Sequence, residues 1–425
     1  MFSRLSQWFL LACVLVAAPA RAEVYALLVG VADYDDSTGI ADLRGPPNDV
    51  ALLRSVLLRR GVSQIVTLAD GTAQSPRPTR AAILAALDEL IGRVSAGDFV
   101  FLHFSGHGTR QRDQNGDETD GLDEVFLPAD AGPADPATGL ISQGLADDEI
   151  GSAVSALRAK GVDVWLVMDN CHAGSGLRAG APQIADRYVD PVLLGVSNAT
   201  ARIAEPTPVA LNDPDLPGGV IAFYAAQSTE VAREVDLSGD GEWYGLFTAK
   251  LAARLDQPGA FTFRQLFQGV MTDLNDQTVP GAARLQTPLW EGTLIDATLF
   301  GGSESNGPSR YVLNGDQMAA GLVHGLSKGT LVGLVADVTD PADAVIGVAQ
   351  ITDIGATQAD LRAVDPDCEP VAASLCPALG NLPETSSFAQ LLARPLDMTV
   401  RIARPRQMNG AGLSETSHPA YQALQ

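Results

Sequence analysis

The chain has 425 residues, 46% of them hydrophobic and only 6% aromatic, and carries 51 acidic against 28 basic side chains, a net charge of −23. That length holds one large core with room for a second, smaller one. So acidic a surface repels nucleic acid and draws cations and basic peptides, which sets nucleic-acid binding aside.

The first 22 residues read as a secretory signal peptide. Arg4 precedes an apolar run over 8–18, and Ala20-Arg21-Ala22 supplies an A-x-A cleavage signature. The run is too short and wrongly flanked for a membrane span, and no later one reaches spanning length. No transmembrane segment is expected, and the expected location is exported, periplasmic or secreted.

Beyond the leader, apolar runs at 24–31, 65–69, 98–104, 162–168 and 220–226 read as strands covered on both faces. Amphipathic patterns at 48–60, 79–94 and 147–160 read as helices between them, with Thr79 as an N-cap and Gly61 and Gly161 as stops. Two more helices, near 244–255 and 263–274, follow the last strand. This alternation predicts a three-layer α/β domain with a mostly parallel sheet, spanning 23–302. A long stretch from about 175 to 219 breaks the rhythm and contains Arg178, Arg187 and Arg202. A loop that long in a compact domain is usually functional or disordered. A Gly/Ser-rich linker at 301–309 leads into 309–425, where short strand-like pieces at 331–338, 344–351 and 398–402 predict a small β-rich accessory domain.

Four cysteines are present. Cys13 leaves with the leader. Cys368 and Cys376, eight apart around Pro370 in a loop-like stretch, predict a local disulfide in an exported protein. Cys171 is then left unpaired, and a reactive thiol is the leading explanation.

Two strings carry the chemistry. The run 101–108 ends in Ser105-Gly106-His107-Gly108, and 164–174 ends in Asp169-Asn170-Cys171-His172-Ala173-Gly174. Each delivers a reactive side chain where a strand leaves the sheet, and sites of parallel sheets gather there. A thiol attacks a carbonyl as thiolate, so it needs a histidine close by, and the intermediate needs donors aimed at its oxyanion. His107 and Cys171 are the candidate dyad, and the amides of Gly108 and Cys171 the candidate oxyanion hole. His103 reads as a core residue, and His172 points away from the nucleophile if the strand continues.

These motifs resemble those of the caspase-like peptidases, specifically the metacaspases and their bacterial relatives. The resemblance continues in order through residues 25–30, Leu43-Arg44-Gly45, Asn48-Asp49, Asp123-Glu124 and Asp147-Asp148-Glu149-Ile150. It runs on through 223–227 with Glu230, Gly245-Leu246-Phe247-Thr248 and Gln286-Thr287-Pro288. It implies a caspase-like three-layer sandwich and a cysteine endopeptidase that cuts after Arg or Lys, with protein or peptide substrates and no organic cofactor. Cys171 would form the acyl-enzyme and His107 act as base and then acid. Asp49 and Asp169, with Ser105 nearby, match the positions that hold the basic side chain. Carboxylates in a partly desolvated pocket select a guanidinium or ammonium. From the residues alone, Asp49 could instead cap the helix that follows, and Asp169 could be a turn residue.

The resemblance also implies calcium on Asp123, Asp147 and Asp148, although a further acidic ligand expected within 175–180 is missing. Asp113-x-Asn115-x-Asp117 reaching Glu124 has EF-hand-like spacing without the glycine at its sixth position, and Asp236-x-Ser238-x-Asp240-Gly241 is a weaker case. The 175–219 stretch matches the region where such enzymes cut themselves, and an uncut surface loop fits it equally. Two competing readings stand beside the peptidase: a non-catalytic caspase-fold scaffold, and an enzyme specific for Asp.

Overall fold

The computed structural model describes residues 22–395, apart from 72–74, 116–120, 172–183, 197–212, 228–229, 237–238, 240, 258, 276–285, 302–307, 309 and 370–374. The leader and the expected strand at 398–402 lie outside the described residues. No described helix is long and apolar enough to cross a membrane. The chain divides into two compact units, Met1–Gly307 and Pro308–Gln425.

The first unit is built on a six-stranded sheet. Strands β1 (Val24–Gly30), β2 (Gln64–Ala69), β3 (Phe99–Ser105), β6 (Asp163–Asp169) and β8 (Val220–Tyr224) are parallel, and β11 (Leu289–Gly292) closes one edge antiparallel. The order across the sheet is β11-β8-β6-β3-β1-β2. Between β3 and β6 lie β4 (Gly108–Arg112) and β5 (Leu122–Phe126), a small antiparallel pair.

The continuous apolar runs follow from burial on both faces. Alternate side chains of one strand enter different cores: Leu27 and Val29 one, Ala26 and Leu28 the other, and likewise Leu166 and Met168 against Trp165 and Val167. Helices α2 (Arg80–Arg93) and α3 (Asp147–Ala159) cover the first face through Ile83, Leu87, Val154 and Leu157. Helices α1 (Pro46–Arg59), α4 (Leu246–Leu255) and α5 (Phe263–Asn275) cover the second through Leu53, Leu57, Phe247, Leu251 and Phe263. Thr79 caps α2, accepting a hydrogen bond from the Ala82 amide at 3.2 Å. The chain is therefore α/β with a mostly parallel sheet, as its alternation predicts.

The second unit is a closed barrel of β12 (Arg310–Asn314), β13 (Gln317–Met318), β14 (Leu331–Val335), β15 (Gly347–Ile354), β16 (Ala359–Val364) and β17 (Phe388–Ala393), in the order β12-β13-β16-β15-β14-β17. Closure removes exposed strand edges. Met318, Leu334, Ile351, Leu361 and Ala389 fill it. Cys368 and Cys376 form the expected disulfide, their Cα atoms 6.2 Å apart.

Part of the 175–219 stretch is regular, where the sequence showed no period. Strand β7 (Ile184–Asp186) pairs antiparallel with β9 (Arg233–Asp236), which in turn pairs with β10 (Trp243–Gly245). A strand of three residues is too short to show alternation, and its pairing is nonlocal.

Candidate active site

Sheet register assembles the site. Ser105 at the end of β3 sits beside Asp169 at the end of β6, so the next residues, Gly106-His107 and Asn170-Cys171, leave the sheet side by side. Gly108 must be glycine: a Cβ there would lie 2.1 Å from the Cys171 carbonyl oxygen.

His107 is buried and fixed from three directions. Its backbone N–H donates to the Tyr34 hydroxyl (3.1 Å), its Nε2 to the Ala41 carbonyl (2.8 Å), and its ring tilts against that of Tyr34 at 5.3 Å. With Nε2 carrying the proton, Nδ1 is the basic nitrogen, and it has no hydrogen-bond partner. Burial pulls the imidazole down to about 4, while the Ala41 and Arg187 carbonyls work the other way.

Cys171 is a free, buried thiol. It sits on the backbone of Ala232, 3.5 Å from its carbonyl oxygen and in contact with its N–H. Burial raises its pKa, so the thiol is protonated here. Among the described residues no hydrogen bond joins it to His107.

The acidic pocket is occupied by the chain itself. Arg187, fully buried, directs Nη2 to Asp49 Oδ2 at 2.7 Å and Nη1 to Ser105 Oγ at 2.9 Å. Nη1 also lies 3.1 Å from both the carboxylate and the carbonyl oxygen of Asp169, and Nη2 lies 3.8 Å from Glu234. Burial opposes the charge on Arg187, but Asp169, Asp49 and Glu234 more than offset it and its pKa rises. Burial also pushes the Asp49 carboxyl up to about 6; Arg187 lowers it and Asp169 raises it. Gly245 admits the guanidinium, because a Cβ there would meet Arg187 Nη1 at 2.5 Å.

The backbone around Arg187 runs through the cleft in extended form. Arg187 N–H donates to the Ala232 carbonyl (3.0 Å), and its own carbonyl accepts from the Gly108 amide (3.1 Å). The Val189 amide then donates to the Gly108 carbonyl (3.0 Å), and Thr109 Oγ1 to the Val189 carbonyl (2.7 Å). The donor assigned to an oxyanion thus already holds the carbonyl of an arginine.

Sequence reasoning named Asp49, Ser105 and Asp169 but missed their supports. Thr248 donates its amide (3.1 Å) and hydroxyl (2.6 Å) to Asp169 Oδ2, so it accepts from His103 Nε2 at 3.0 Å. His103 is a buried neutral residue, held down to about 3 by burial and then by Arg187. Glu234 was not singled out; it accepts the amides of Arg44 (3.0 Å) and Gly45 (2.9 Å). The ordered match at Leu43-Arg44-Gly45 and Gly245-Leu246-Phe247-Thr248 was the available signal, though it named no role. His172 lies outside the described residues.

The proposed metal ligands are less assembled. Asp147 and Asp148 open α3, where carboxylates favour the helix N-terminus, and Asp123 lies on β5. Among the described residues no three carboxylate, imidazole or thiol groups converge on one point. Asp123 nevertheless has a buried oxygen, Oδ1, without a hydrogen-bond partner. Its carboxyl is raised to about 6 by burial, lowered by Gln111 and raised again by Asp113 and Asp148. That one atom fits a cation. The acidic runs at 113–124 and 236–241 lie only partly within the described residues.

Residues 25–179 match the family model described as metacaspase, peptidase C14 domain. Over this segment the chain is similar to the metacaspase peptidase domain. Metacaspase-2 of Arabidopsis thaliana is 34% identical over 161 residues, covering 37% of this chain and 36% of that protein. Metacaspase-1 of Eremothecium gossypii is 36% identical over 156 residues, 36% of this chain and 32% of that one. Metacaspase-7 of Arabidopsis thaliana is 33% identical over 165 residues, 38% and 37%. The matched region thus spans about a third of the length of these curated relatives. Among solved structures, protein GSU0716 from Geobacter sulfurreducens aligns over 66% of this chain and 100% of its own, with 20% identity and a TM-score of 0.47.

Proposed function

We propose that the metacaspase-type domain is a cysteine endopeptidase that cuts after arginine or lysine and is made with its cleft filled by its own chain. One observation carries this reading: Arg187 sits among Asp49, Asp169, Ser105 and Glu234 while its carbonyl rests on the Gly108 amide. A side chain ending in a carboxylate would meet three carboxylates there, which opposes the Asp-specific alternative.

The chemistry follows from the groups present. Cys171 Sγ adds to the carbonyl carbon as His107 Nδ1 takes the thiol proton. The oxyanion is held by the amides of Gly108 and Cys171. His107 gives the proton to the leaving amine, and a thioester remains. Water then adds to the thioester, His107 taking its proton; the carboxylate leaves and the thiol is restored. In the closed state the bond in place is Arg187–Tyr188, and the thiol must leave Ala232 to reach it. Until then the seat of the thiol on the Ala232 backbone, away from His107, keeps the enzyme latent.

Purified full-length protein should accumulate a cut between Arg187 and Tyr188 by mass spectrometry. It should then hydrolyse fluorogenic peptides with Arg, and not Asp, at the cleaved position. Cys171→Ala should do neither, a loss of at least about 10³-fold. Folded protein that cleaves no peptide, with a thiol no more reactive than an ordinary one after trypsin opens the segment, would establish the scaffold alternative instead.

The reading extends to two further proposals. Calcium would bind weakly through Asp123, Asp147 and Asp148, and a terbium luminescence titration lost in Asp123→Asn tests it. Export is supported by the disulfide in the barrel and by the leader pattern, and cell fractionation tests it.

A further inference from the structure

Beside the arginine pocket lies a second buried cation that nothing in the mechanism uses. Arg233, in β9, is 7% exposed at its side chain, and its Nε and Nη1 have no hydrogen-bond partner. A guanidinium taken out of water without partners is costly, so such a group favours any carboxylate that reaches it. The carboxylate that reaches it here is that of Asp186, with Nε 3.5 Å from Oδ1.

Asp186 immediately precedes Arg187, and its placement is set by backbone pairing. Ile184, Ala185 and Asp186 pair antiparallel with Val235, Glu234 and Arg233. An extended substrate adds to a strand in this way, the main chain supplying affinity and alternate side chains specificity. The strand that presents Glu234 to the arginine therefore presents Arg233 to the residue before it. Once residues 184–187 leave the cleft, Arg233 loses its carboxylate, and the next occupant meets the same bare cation.

We propose that Arg233 is a specificity-determining residue that selects an acidic side chain directly before the cleaved arginine or lysine, and that Asp186-Arg187 is the first such sequence the enzyme meets. This rests on the peptidase reading above. The substrates are acidic–basic dipeptide steps in extended segments, and a basic residue before the cut is rejected by like charge.

The test uses full-length protein after its own cut, with three fluorogenic peptides: Ile-Ala-Asp-Arg, Ile-Ala-Asn-Arg and Ile-Ala-Lys-Arg. We expect kcat/KM to fall in that order, by about tenfold per step, as for one desolvated ion pair gained or opposed. Arg233→Glu should reverse the order of the Asp and Lys peptides. Arg233→Met, which keeps the volume, should cleave the Asp and Asn peptides equally and decides the matter if the glutamate variant does not fold. Equal cleavage of the Asp and Lys peptides by the wild type, or a preference unmoved in the variants, overturns the proposal while the peptidase reading stands. Failure to cleave any of the three overturns both.

Discussion

The two halves of the cleft differ in readiness. In the specificity half, both terminal nitrogens of Arg187 are held by buried oxygens, which are themselves fixed by Thr248, Gly245 and the Arg44 and Gly45 amides. In the reactive half, His107 Nδ1 has no hydrogen bond and the Cys171 thiol rests on Ala232. On the proposed reading, recognition is built into the fold, whereas catalysis waits for the thiol to move. A chain in this form can fold around its pocket without exposing a thiolate.

Separating the halves by mutation gives the largest expected effect. Asp49→Asn with Asp169→Asn should lower kcat/KM for Arg peptides by about a hundredfold or more, because a desolvated guanidinium loses its counter-charges. Alkylation of Cys171 in the opened enzyme should be unchanged; a parallel fall there would mean the halves are one unit. Next in size is Arg187→Ala. In a Cys171→Ala background it should cost about 3–5 kcal/mol of unfolding free energy, since Asp49, Asp169 and Glu234 are left buried without their cation. With Cys171 present, alkylation should be about tenfold faster than in the wild type before its cut. No loss of stability would show that the segment does not hold the pocket together.

The pH response is smaller and its sign is fixed. The Asp49 carboxyl is raised from 3.8 to about 6 in the folded state. Its contribution to stability is thus full below about pH 3.8 and lost as pH rises through about 6. In the Cys171→Ala background, Asp49 protein should gain on the order of 1–3 kcal/mol over Asp49→Asn as pH falls from 7 to 4. His107 works oppositely, held down to about 4, with stability lost as pH falls from 6.5 through that value. Parallel pH curves for the two proteins would remove Asp49 from this account. The smallest effect belongs to Tyr34→Phe, which leaves the Leu127 carbonyl and the His107 amide unpaired. It should cost about 1–2 kcal/mol and lower kcat several-fold with KM for Arg peptides unmoved, since it touches only the reactive half.

Legibility followed the range of the interactions. The five parallel strands and the five helices of the first unit could be read to within a residue or two because each is a continuous apolar run or a helical period, ended by local signals such as Thr79 and Gly161. Strands β4 and β5 escape such a reading, since Gly-Thr-Arg-Gln-Arg is polar and is stabilised by pairing rather than by its own pattern. Glu234 was invisible for the same reason. Nothing near it in sequence shows that it meets amides 190 residues away.

By itself the sequence determined the layered fold, the local disulfide and the delivery of His107 and Cys171 to one edge of the sheet. Each depends on patterns within a few residues, or on adjacent strands whose ends are in register. It also supplied Arg187 as one of three arginines in a long irregular stretch, with nothing to choose among them. Only the tertiary structure chose, because the choice rests on a guanidinium reaching three buried carboxylates contributed by α1, β6 and β9. A charge taken from water must be matched by charges at short range, and short range in space is what a linear sequence does not record.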